Sequence, residues 1–282
     1  MTLRLALLLA LTMTAFAANS ILNRMAVGSG GITPETFAYL RVASGTLILA
    51  LLALVRRTRL PMGRRQLVGA PALAVYMIGF SLAYRTLDAG VGALILFGAV
   101  QMSMFLIAAA MGHRSSVRQV AGAAAAFAGL ALILWPGAGW QAEPVGAALM
   151  VAAGIGWGVY TLAGRGAADP LAATGANFLL TLPMVALAAR FSGGFDAAGN
   201  WTGFWLAIIS GAVTSGLGYA LWYAVLPRIE AATAALVQLS APVIAVAGGT
   251  ALLGEVPSPQ FLAGAVLVLG GIAFGIAPRR AR

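Results

Sequence analysis

The stretch GVGALILFGAVQMSMFLIAAAM, residues 90–111, contains no charged side chain, and its only polar side chains are Gln101 and Ser103. An α-helix of this length is about 33 Å long, which matches a hydrocarbon core about 30 Å thick. Because lipid offers the backbone no hydrogen-bond partners, a spanning segment must satisfy its own N–H and C=O groups, as a helix does. The stretch therefore predicts a membrane-spanning helix.

Further apolar stretches of similar length lie on both sides of it, so we predict an all-α integral membrane protein with ten spans. The predicted spans are residues 5–25, 36–55, 67–86, 90–111, 117–135, 145–164, 172–190, 202–224, 231–253 and 260–277. Glycine and proline between the spans favour turns. The first run resembles a signal peptide ending at Ala17, but it stays apolar to about Met25, and we interpret it as a span.

The composition excludes several classes of protein. Apolar residues make up 61% of the 282 residues and charged residues 9%, whereas soluble domains carry about 25% charged residues. The chain has no cysteine and a single histidine, His113, so a metal site built from these residues is excluded, and we predict no cofactor. The basic residues are arginines in short clusters between apolar stretches, which indicates membrane topology rather than nucleic-acid binding.

The arginines are concentrated on alternate connections between spans. Five of them lie within residues 56–65, and three more lie within the C-terminal residues 279–282. Because arginine-rich loops stay in the cytoplasm, we predict a bacterial inner-membrane protein with both termini cytoplasmic. Trp135, Trp140, Trp201 and Trp205 then fall at the periplasmic boundary, as an aromatic belt does.

The two halves of the chain resemble each other. A shift of 142 residues places Asp88-Ala89 on Glu230-Ala231, Gly112 on Gly254 and Gly129 on Gly271. We therefore predict two five-helix repeats, residues 1–140 and 141–282. Because five is an odd number, the repeats run in opposite directions through the membrane. Inverted repeats around a central cavity are typical of alternating-access transporters.

Several motifs resemble those of a known family. They are Trp157-Gly158 with Arg165; Tyr223 with Leu226, Glu230-Ala231-Ala232, Leu239 and Pro242; and Gly254-Glu255 with Pro257, Gln260, Gly264 and Gly270-Gly271. In this order they resemble the EamA-type module of the drug/metabolite transporter superfamily. The first half departs from the pattern at His113-Arg114 and at Val100. The resemblance implies a secondary transporter, most similar to the amino-acid exporter branch, including aromatic amino acid exporters.

Polar and aromatic side chains inside the spans are the candidates for substrate binding, because polar groups are costly in lipid and solute sites are mostly apolar. The candidates are Asn19, Asn23, Arg41, Tyr76, Phe80, Tyr84, Gln101, Trp157, Tyr160, Tyr219 and Gln238. Arg41 binds a substrate carboxylate, extends towards the periplasmic surface, or forms hydrogen bonds with a helix end. The asparagines either bind a zwitterion or join helices, and the aromatic residues either line a cavity or fill the core. Pro183, Gly216, Gly218 and Pro242 are candidate hinges or close-packing points.

All seven acids lie in loops or at span ends, so the sequence predicts export of small organic solutes, amino acids foremost, without an evident ion-coupling residue. A multidrug or other metabolite exporter, coupled to protons, is the alternative. A membrane enzyme is disfavoured because no acid–base pair or metal cluster is evident, and a channel because inverted repeats are typical of carriers. The predicted partners are a small-molecule substrate and the lipid bilayer, in a monomer or homodimer.

Overall fold

The computed structural model describes residues 3–28, 31–110, 116–135, 143–164, 167–191, 200–225, 228–229 and 237–276. All regular secondary structure within these ranges is helical. The predictions that concern His113, Trp140, Glu230 and the first residues of the ninth span lie outside the described residues.

The described helices lie close to the predicted spans, except that the helix in the ninth span begins at Ser240, well after the predicted start of that span at residue 231. They are α1 (Leu3–Asn23) with a π-helical stretch Arg24–Gly28, α2 (Pro34–Val55), α3 (Arg64–Ala83), α4 (Ala89–Ala110), α5 (Val117–Leu134), α6 (Pro144–Gly164), α7 (Pro170–Phe191), α8 (Trp201–Ile209), a second π-helical stretch Ser210–Leu217, α9 (Gly218–Val225), α10 (Ser240–Leu253) and α11 (Pro259–Ile276). The stretch from α8 to α9 is continuous, and we call it the eighth segment. Local signals set the ends: the Thr33 hydroxyl accepts a hydrogen bond from the Thr36 N–H ahead of α2.

Eight of the described segments are long and apolar enough to cross a membrane, and α10 and α11 are shorter apolar helices. Large apolar side chains such as Leu54, Val55 and Leu67 are exposed on the outer surface. An apolar outer surface suits lipid rather than water. The chain is therefore a multi-pass membrane protein, as its sequence predicts.

α5 and α11 form the most extensive helix pair in the described fold. A Cβ atom on Gly122 would lie 2.5 Å from the carbonyl oxygen of Gly271, and one on Gly129 would lie 2.7 Å from that of Gly264. Small residues let membrane helices approach closely, which matters because lipid is as apolar as the helices themselves. The contact between these two helices therefore depends on glycine at these positions.

The other extensive helix pairs join the first half of the chain to the second. α6 packs against α3 and α4, α7 packs against α2 and α3, α10 packs against α1 and α4, and the eighth segment packs against α1 and α2. One hydrophobic core includes buried residues from nearly all of these helices. The two halves thus share a core instead of forming separate bundles.

The four candidate hinge residues have different surroundings. α7 continues through Pro183, and Pro242 lies in the first turn of α10, where a proline removes no helical hydrogen bond. A Cβ atom on Gly216 would collide with the side chain of Ile48, whereas one on Gly218 would have no neighbour closer than 3.4 Å. Gly216 is therefore a close-packing point, and a hinge role for the four residues stays a prediction.

Gly271→Ala should destabilise the protein, because the added Cβ would lie 2.6 Å from the carbonyl oxygen of Gly122. Overpacking of this kind costs about 1–3 kcal/mol. Gly270→Ala is the matched control, since nothing lies within 4 Å of its Cβ position. We expect thermal unfolding in detergent to give a lower Tm for Gly271→Ala and no decrease for Gly270→Ala. Equal Tm values would contradict the close contact between α5 and α11.

Candidate functional site

A cavity lies between α1, α3, α4, α6 and α9, so that both halves of the chain contribute to its wall. Its lining residues are mostly aromatic: Phe16, Asn19, Tyr76, Phe80, Leu96, Phe97, Trp157 and Tyr219. The cavity is narrow, and the centres of water molecules can occupy only about 20 Å³ of it. That is room for about one or two waters. The cavity must therefore widen before an organic solute can enter.

Glycines in the sequence Gly154-Ile155-Gly156-Trp157-Gly158 bring Trp157 to this cavity. A Cβ atom on Gly154 would lie 2.5 Å from the Cβ of Ala99 in α4, and one on Gly156 would lie 2.7 Å from the carbonyl oxygen of Ala72 in α3. α6 can therefore lie close to both helices at once. The side chain of Trp157, which lies between Gly156 and Gly158, then projects into the space where α3, α4 and α6 meet.

The aromatic residues form one connected cluster around Trp157. Its ring lies with centroid separations of 4.9 Å from Tyr76, 5.3 Å from Tyr160 and 5.1 Å from Tyr219. Tyr219 in turn lies 5.7 Å from Phe16 in α1. Rings at these separations attract one another beyond the effect of burial alone. The cluster thus connects α1, α3, α6 and α9 through side chains.

Arg41 of α2 is fully buried against two of the cavity-lining rings. Its guanidinium carbon lies 5.3 Å from the ring centroid of Tyr76 and 4.8 Å from that of Phe80. Nε donates to the Ser215 hydroxyl and Nη2 to the Tyr76 hydroxyl, each at 3.0 Å, whereas the buried Nη1 has no hydrogen-bond partner among the described residues. No carboxylate of a described residue lies within ion-pair distance. The Arg41 side chain is thus enclosed by protein on the described sides and is not exposed at the surface of the fold.

Asn19 both lines the cavity and joins α1 to the eighth segment. Its side-chain oxygen accepts hydrogen bonds from the hydroxyls of Ser210, Thr214 and Ser215, all in the second π-helical stretch. Because Ser215 also accepts a hydrogen bond from Arg41, a polar network connects α1, α2 and the eighth segment. The spacing of Ser210, Thr214 and Ser215 within an apolar span is the sequence signal for this network.

Two other candidates lie beyond the cavity, towards the C-terminal end of α1. The Asn23 side-chain nitrogen donates to the Ser81 hydroxyl at 3.2 Å, and its oxygen is buried without a partner. The Tyr84 hydroxyl donates to the carbonyl oxygen of Ala89 at 3.3 Å. Asn23 therefore joins α1 to α3, and Tyr84 joins the end of α3 to the start of α4.

The remaining candidates are also outside the cavity lining. The hydroxyls of Tyr160 and Thr174 lie 3.1 Å apart, so Tyr160 connects α6 to α7 while its ring supports Trp157. Gln101 and Gln238 are half-buried, and neither lines the cavity. The structure thus brings together Asn19, Tyr76, Phe80, Trp157 and Tyr219, with Arg41 behind them, and leaves the two glutamines apart.

A charged cluster at one end of the fold, which the sequence analysis did not predict, joins three segments. Nη2 of Arg24 lies 3.3 Å from Oδ1 of Asp88, and its Nε lies 3.4 Å from Oε1 of Glu255. Both carboxylate oxygens of Glu255 accept from the Ala89 N–H, at 3.0 and 2.9 Å. We call these three charged residues the Arg24 cluster. It ties the end of α1 to the start of α4 and to the loop between α10 and α11.

Gly254 places Glu255 in this cluster. It follows the last residue of α10 with φ of 68°, a left-handed conformation that favours glycine. The N–H of Glu255 then donates to the carbonyl oxygen of Gly249 at 3.2 Å. The Gly254-Glu255 pair, which the sequence offered only as a motif, therefore ends a helix and positions a carboxylate.

The carboxylates outside the spans differ in their surroundings. Burial raises the pKa of Glu255, the Ala89 N–H lowers it, and the neighbouring Asp88 raises it further. Hydrogen bonds from the N–H groups of Gly146 and Val145 lower the pKa of Glu143. In the part of the chain that the structure describes, acids and histidines do not gather into a group that could hold a metal ion.

The helical membrane fold and the aromatic cavity shared by both halves define a class of multi-pass membrane proteins, and comparisons with known proteins identify the family. Residues 144–276 match the EamA-like transporter family. An uncharacterized protein of Pseudomonas aeruginosa is 46% identical over 99% of this chain and 96% of its own. A probable terminal-alkyne amino-acid exporter of Streptantibioticus cattleyicolor is 29% identical over 94% of this chain and 90% of its own. The chain belongs to the EamA-like transporter family of the drug/metabolite transporter superfamily.

The likeness extends to three dimensions. A protein of known crystal structure matches with a TM-score of 0.66, covering 94% of this chain and 98% of its own, at 21% sequence identity. At that identity the match concerns the fold alone. The family that the sequence motifs suggested is confirmed by the family match over residues 144–276 and by the sequence relatives.

Arg24→Gln should open the end of the fold that the Arg24 cluster holds, because Asp88 and Glu255 would become neighbouring carboxylates without a cation. The chain has no native cysteine, so a single Ala93→Cys substitution can report on the opening. Ala93 is buried against Ala17 and Ala245. We expect a membrane-impermeant maleimide to label this cysteine slowly with native Arg24 and several-fold faster with Arg24→Gln.

The control for this labelling experiment is Arg190→Gln, which removes an exposed arginine near the end of α7. It should leave the labelling rate unchanged. Equal rates for native Arg24 and Arg24→Gln would show that the cluster does not hold this end of the fold closed.

Mild acid should favour the closed form of the Arg24 cluster. The pKa of Glu255 is raised where it is half-buried, so the closed form binds this proton more readily than an open form in which Glu255 is solvated. The effect is complete below the ordinary carboxyl pKa and is lost as pH rises through the raised value. Labelling of Ala93→Cys, normalised to the unfolded protein, should therefore slow in acid, and Glu255→Gln should remove most of this dependence. Faster labelling in acid would contradict the sign.

Proposed function

We propose that this chain is a secondary transporter that exports small organic solutes, amino acids foremost, by alternating access. The observation that carries the proposal is the cavity between the halves, whose lining is aromatic with few polar groups. Solute sites in proteins have this composition. The family consists of transporters, and the name of the relative from S. cattleyicolor describes an amino-acid exporter. These three observations favour a transporter over an enzyme.

We also propose two inverted five-helix repeats, residues 1–140 and 141–282. Counting α10 as the ninth segment and α11 as the tenth, most helix contacts have a counterpart five segments further along. The pair α3–α6 corresponds to the eighth segment with α1, and the pair α4–α6 corresponds to α10 with α1. The pairs α2–α7, α4–α10 and α5–α11 are their own counterparts. A two-fold axis in the membrane plane predicts this pattern.

The proposed orientation follows from the arginines. In the bacterial inner membrane, the arginine-rich residues 56–65 would lie in the cytoplasm together with both termini. α1 then runs outwards, so the Arg24 cluster lies at the periplasmic end. Because the cluster ties α1 to α4 and to the loop after α10, this conformation has a closed periplasmic side.

The proposed transport cycle is a rocking of one repeat against the other around the cavity. Solute enters when α6 and the eighth segment part at the cytoplasmic end, and it leaves when α1 and α3 part at the periplasmic end. The second step requires the Arg24 cluster to open. Trp157, Tyr219 and the other rings contact the apolar part of the solute, while Asn19 contributes a polar group. Pro183, Gly216, Gly218 and Pro242 stay candidates for hinges, and the carrier is a monomer or a homodimer.

The proposed carrier is driven by the gradient of its own substrate. Carriers coupled to protons or sodium commonly keep a carboxylate within the membrane, but the described acids lie at helix ends or in connections: Glu35, Asp88, Glu143, Asp169 and Glu255. The alternative is a proton-coupled exporter of drugs or other metabolites. One observation favours it, the half-buried Glu255 with its raised pKa.

Counterflow in liposomes tests the transport function. Protein in liposomes loaded with unlabelled phenylalanine should take up labelled phenylalanine, threonine or methionine without an ion gradient. Trp157→Ala should lower this uptake about tenfold or more, because it removes the central ring of the cavity wall. Trp205→Ala is the control, since Trp205 is exposed on the outer surface, and it should transport normally.

Other outcomes of the counterflow experiment would change the proposal in defined ways. Exchange of a different solute class alone would retain the carrier and replace the substrate. Uptake that requires a proton gradient would favour the coupled exporter. Equal uptake by Trp157→Ala and the unaltered protein would show that the solute does not pass through the aromatic cavity.

A further inference from the structure

We propose that Arg41 is the carboxylate-binding residue of the transport site, so that the carrier selects small organic acids, amino acids included, over the corresponding amides and amines. This inference rests on the proposed transport function and specifies the chemistry of its substrate. It concerns one buried guanidinium and the three neighbouring residues that line the cavity.

The first step of the argument is the charge of Arg41. A charge in a protein interior within the membrane is costly, and it is normally paired with an opposite charge. Arg41 is fully buried, yet its hydrogen-bond partners are two neutral hydroxyls, those of Ser215 and Tyr76. Its Nη1 is buried without a hydrogen-bond partner among the described residues. Within the part of the chain that the structure describes, the guanidinium therefore has both an uncompensated charge and an unused donor.

The second step is the position of this donor relative to the cavity. Tyr76 and Phe80 both contact the guanidinium, and both line the cavity. Ser215, which accepts from Arg41, donates in turn to Asn19, a third lining residue. Arg41 thus lies immediately behind the wall. Movement of the Tyr76 and Phe80 rings as the cavity widens would bring the guanidinium into contact with a solute.

The third step is the choice of ligand. A guanidinium stays charged at all physiological pH values and binds a carboxylate through two parallel hydrogen bonds. The described residues that line the cavity include no acid, so an amine without a carboxylate would place a second positive charge beside Arg41. The aromatic rings suit an apolar body attached to the acid. The site thus favours a carboxylate on an aromatic or aliphatic body.

Competition experiments test this selectivity. The unaltered protein in liposomes would exchange labelled phenylalanine in the presence of phenylalanine, phenylpyruvate, phenylalanine amide or phenethylamine. We expect the two carboxylates to compete, and the amide and the amine to compete at least about tenfold more weakly. Stronger competition by phenylalanine than by phenylpyruvate would support the inference and show that the cavity also binds the ammonium group. If the amide competed as well as phenylalanine, the inference would be wrong while the proposed carrier stood.

A binding measurement tests Arg41 even if phenylalanine is not the cargo. Thermal unfolding in detergent would be followed with benzoate, phenylpyruvate and phenylalanine amide. We expect the carboxylates to raise the Tm of the unaltered protein, and Arg41→Met to lose this shift. Because Arg41→Met replaces an unpaired buried charge with an apolar chain, it should not lower the Tm of the empty protein. If carboxylates raised no Tm in the unaltered protein, the inference would fail.

The matched control is Arg118→Met. The Arg118 guanidinium also lies over an aromatic ring, 4.9 Å from the centroid of Phe274, but it is partly exposed and outside the cavity. This variant should keep the carboxylate shift. Arg41→Lys, which keeps the charge but not the planar fork, provides a second variant if Arg41→Met does not fold, and it should show a reduced shift. If carboxylates raised the Tm of either Arg41 variant as much as that of the unaltered protein, Arg41 would have only a structural role and the inference would be overturned.

Discussion

Direct contact between helix backbones is the constraint on which the rest of this structure depends. Lipid gives the helices little reason to associate, so close packing between them has to hold the fold together. Gly122 and Gly271 provide such a contact between α5 and α11, and Gly154 and Gly156 provide it on two sides of α6. These contacts set the spacing of the helices, and the aromatic side chains fill the space that remains. Residues that never touch the cavity therefore determine its shape.

The sequence predicted the fold class well because the bilayer imposes a simple requirement on length and polarity. It predicted less of the local structure. The eighth span was expected as one α-helix over residues 202–224, but its middle, Ser210–Leu217, is π-helical. Hydroxyls of this stretch bond to Asn19, which is 191 or more residues away in the chain. Hydropathy carries no information about a partner so distant in sequence.

The candidate site shows the same limit. The spacing of Tyr76, Phe80 and Tyr84 predicts one row of rings, and neighbouring rings are in contact, but only Tyr76 and Phe80 line the cavity. For Arg41 the sequence left three interpretations open. Its distance from the end of the span is readable in the sequence, whereas the hydroxyls and rings that enclose it come from α3 and the eighth segment. Arg24 is the opposite case, since two carboxylates surround it at the end of α1. Carboxylates of the described residues thus balance the charge of Arg24 but not that of Arg41.

The π-helical stretch Ser210–Leu217 allows the eighth segment to rotate about its own axis if the stretch changes its helical type. A π-helical turn contains more residues than an α-helical turn. If one residue left the widened turn and the stretch became α-helical, the residues that follow it would rotate about the helix axis by about 100°. Tyr219 follows the stretch and now faces Phe16 and Trp157. Rewinding would turn its ring away from them and withdraw the hydroxyls from Asn19. A change in hydrogen bonding on one side of the cavity would thereby become a rotation of its wall, without any sliding of helices past one another.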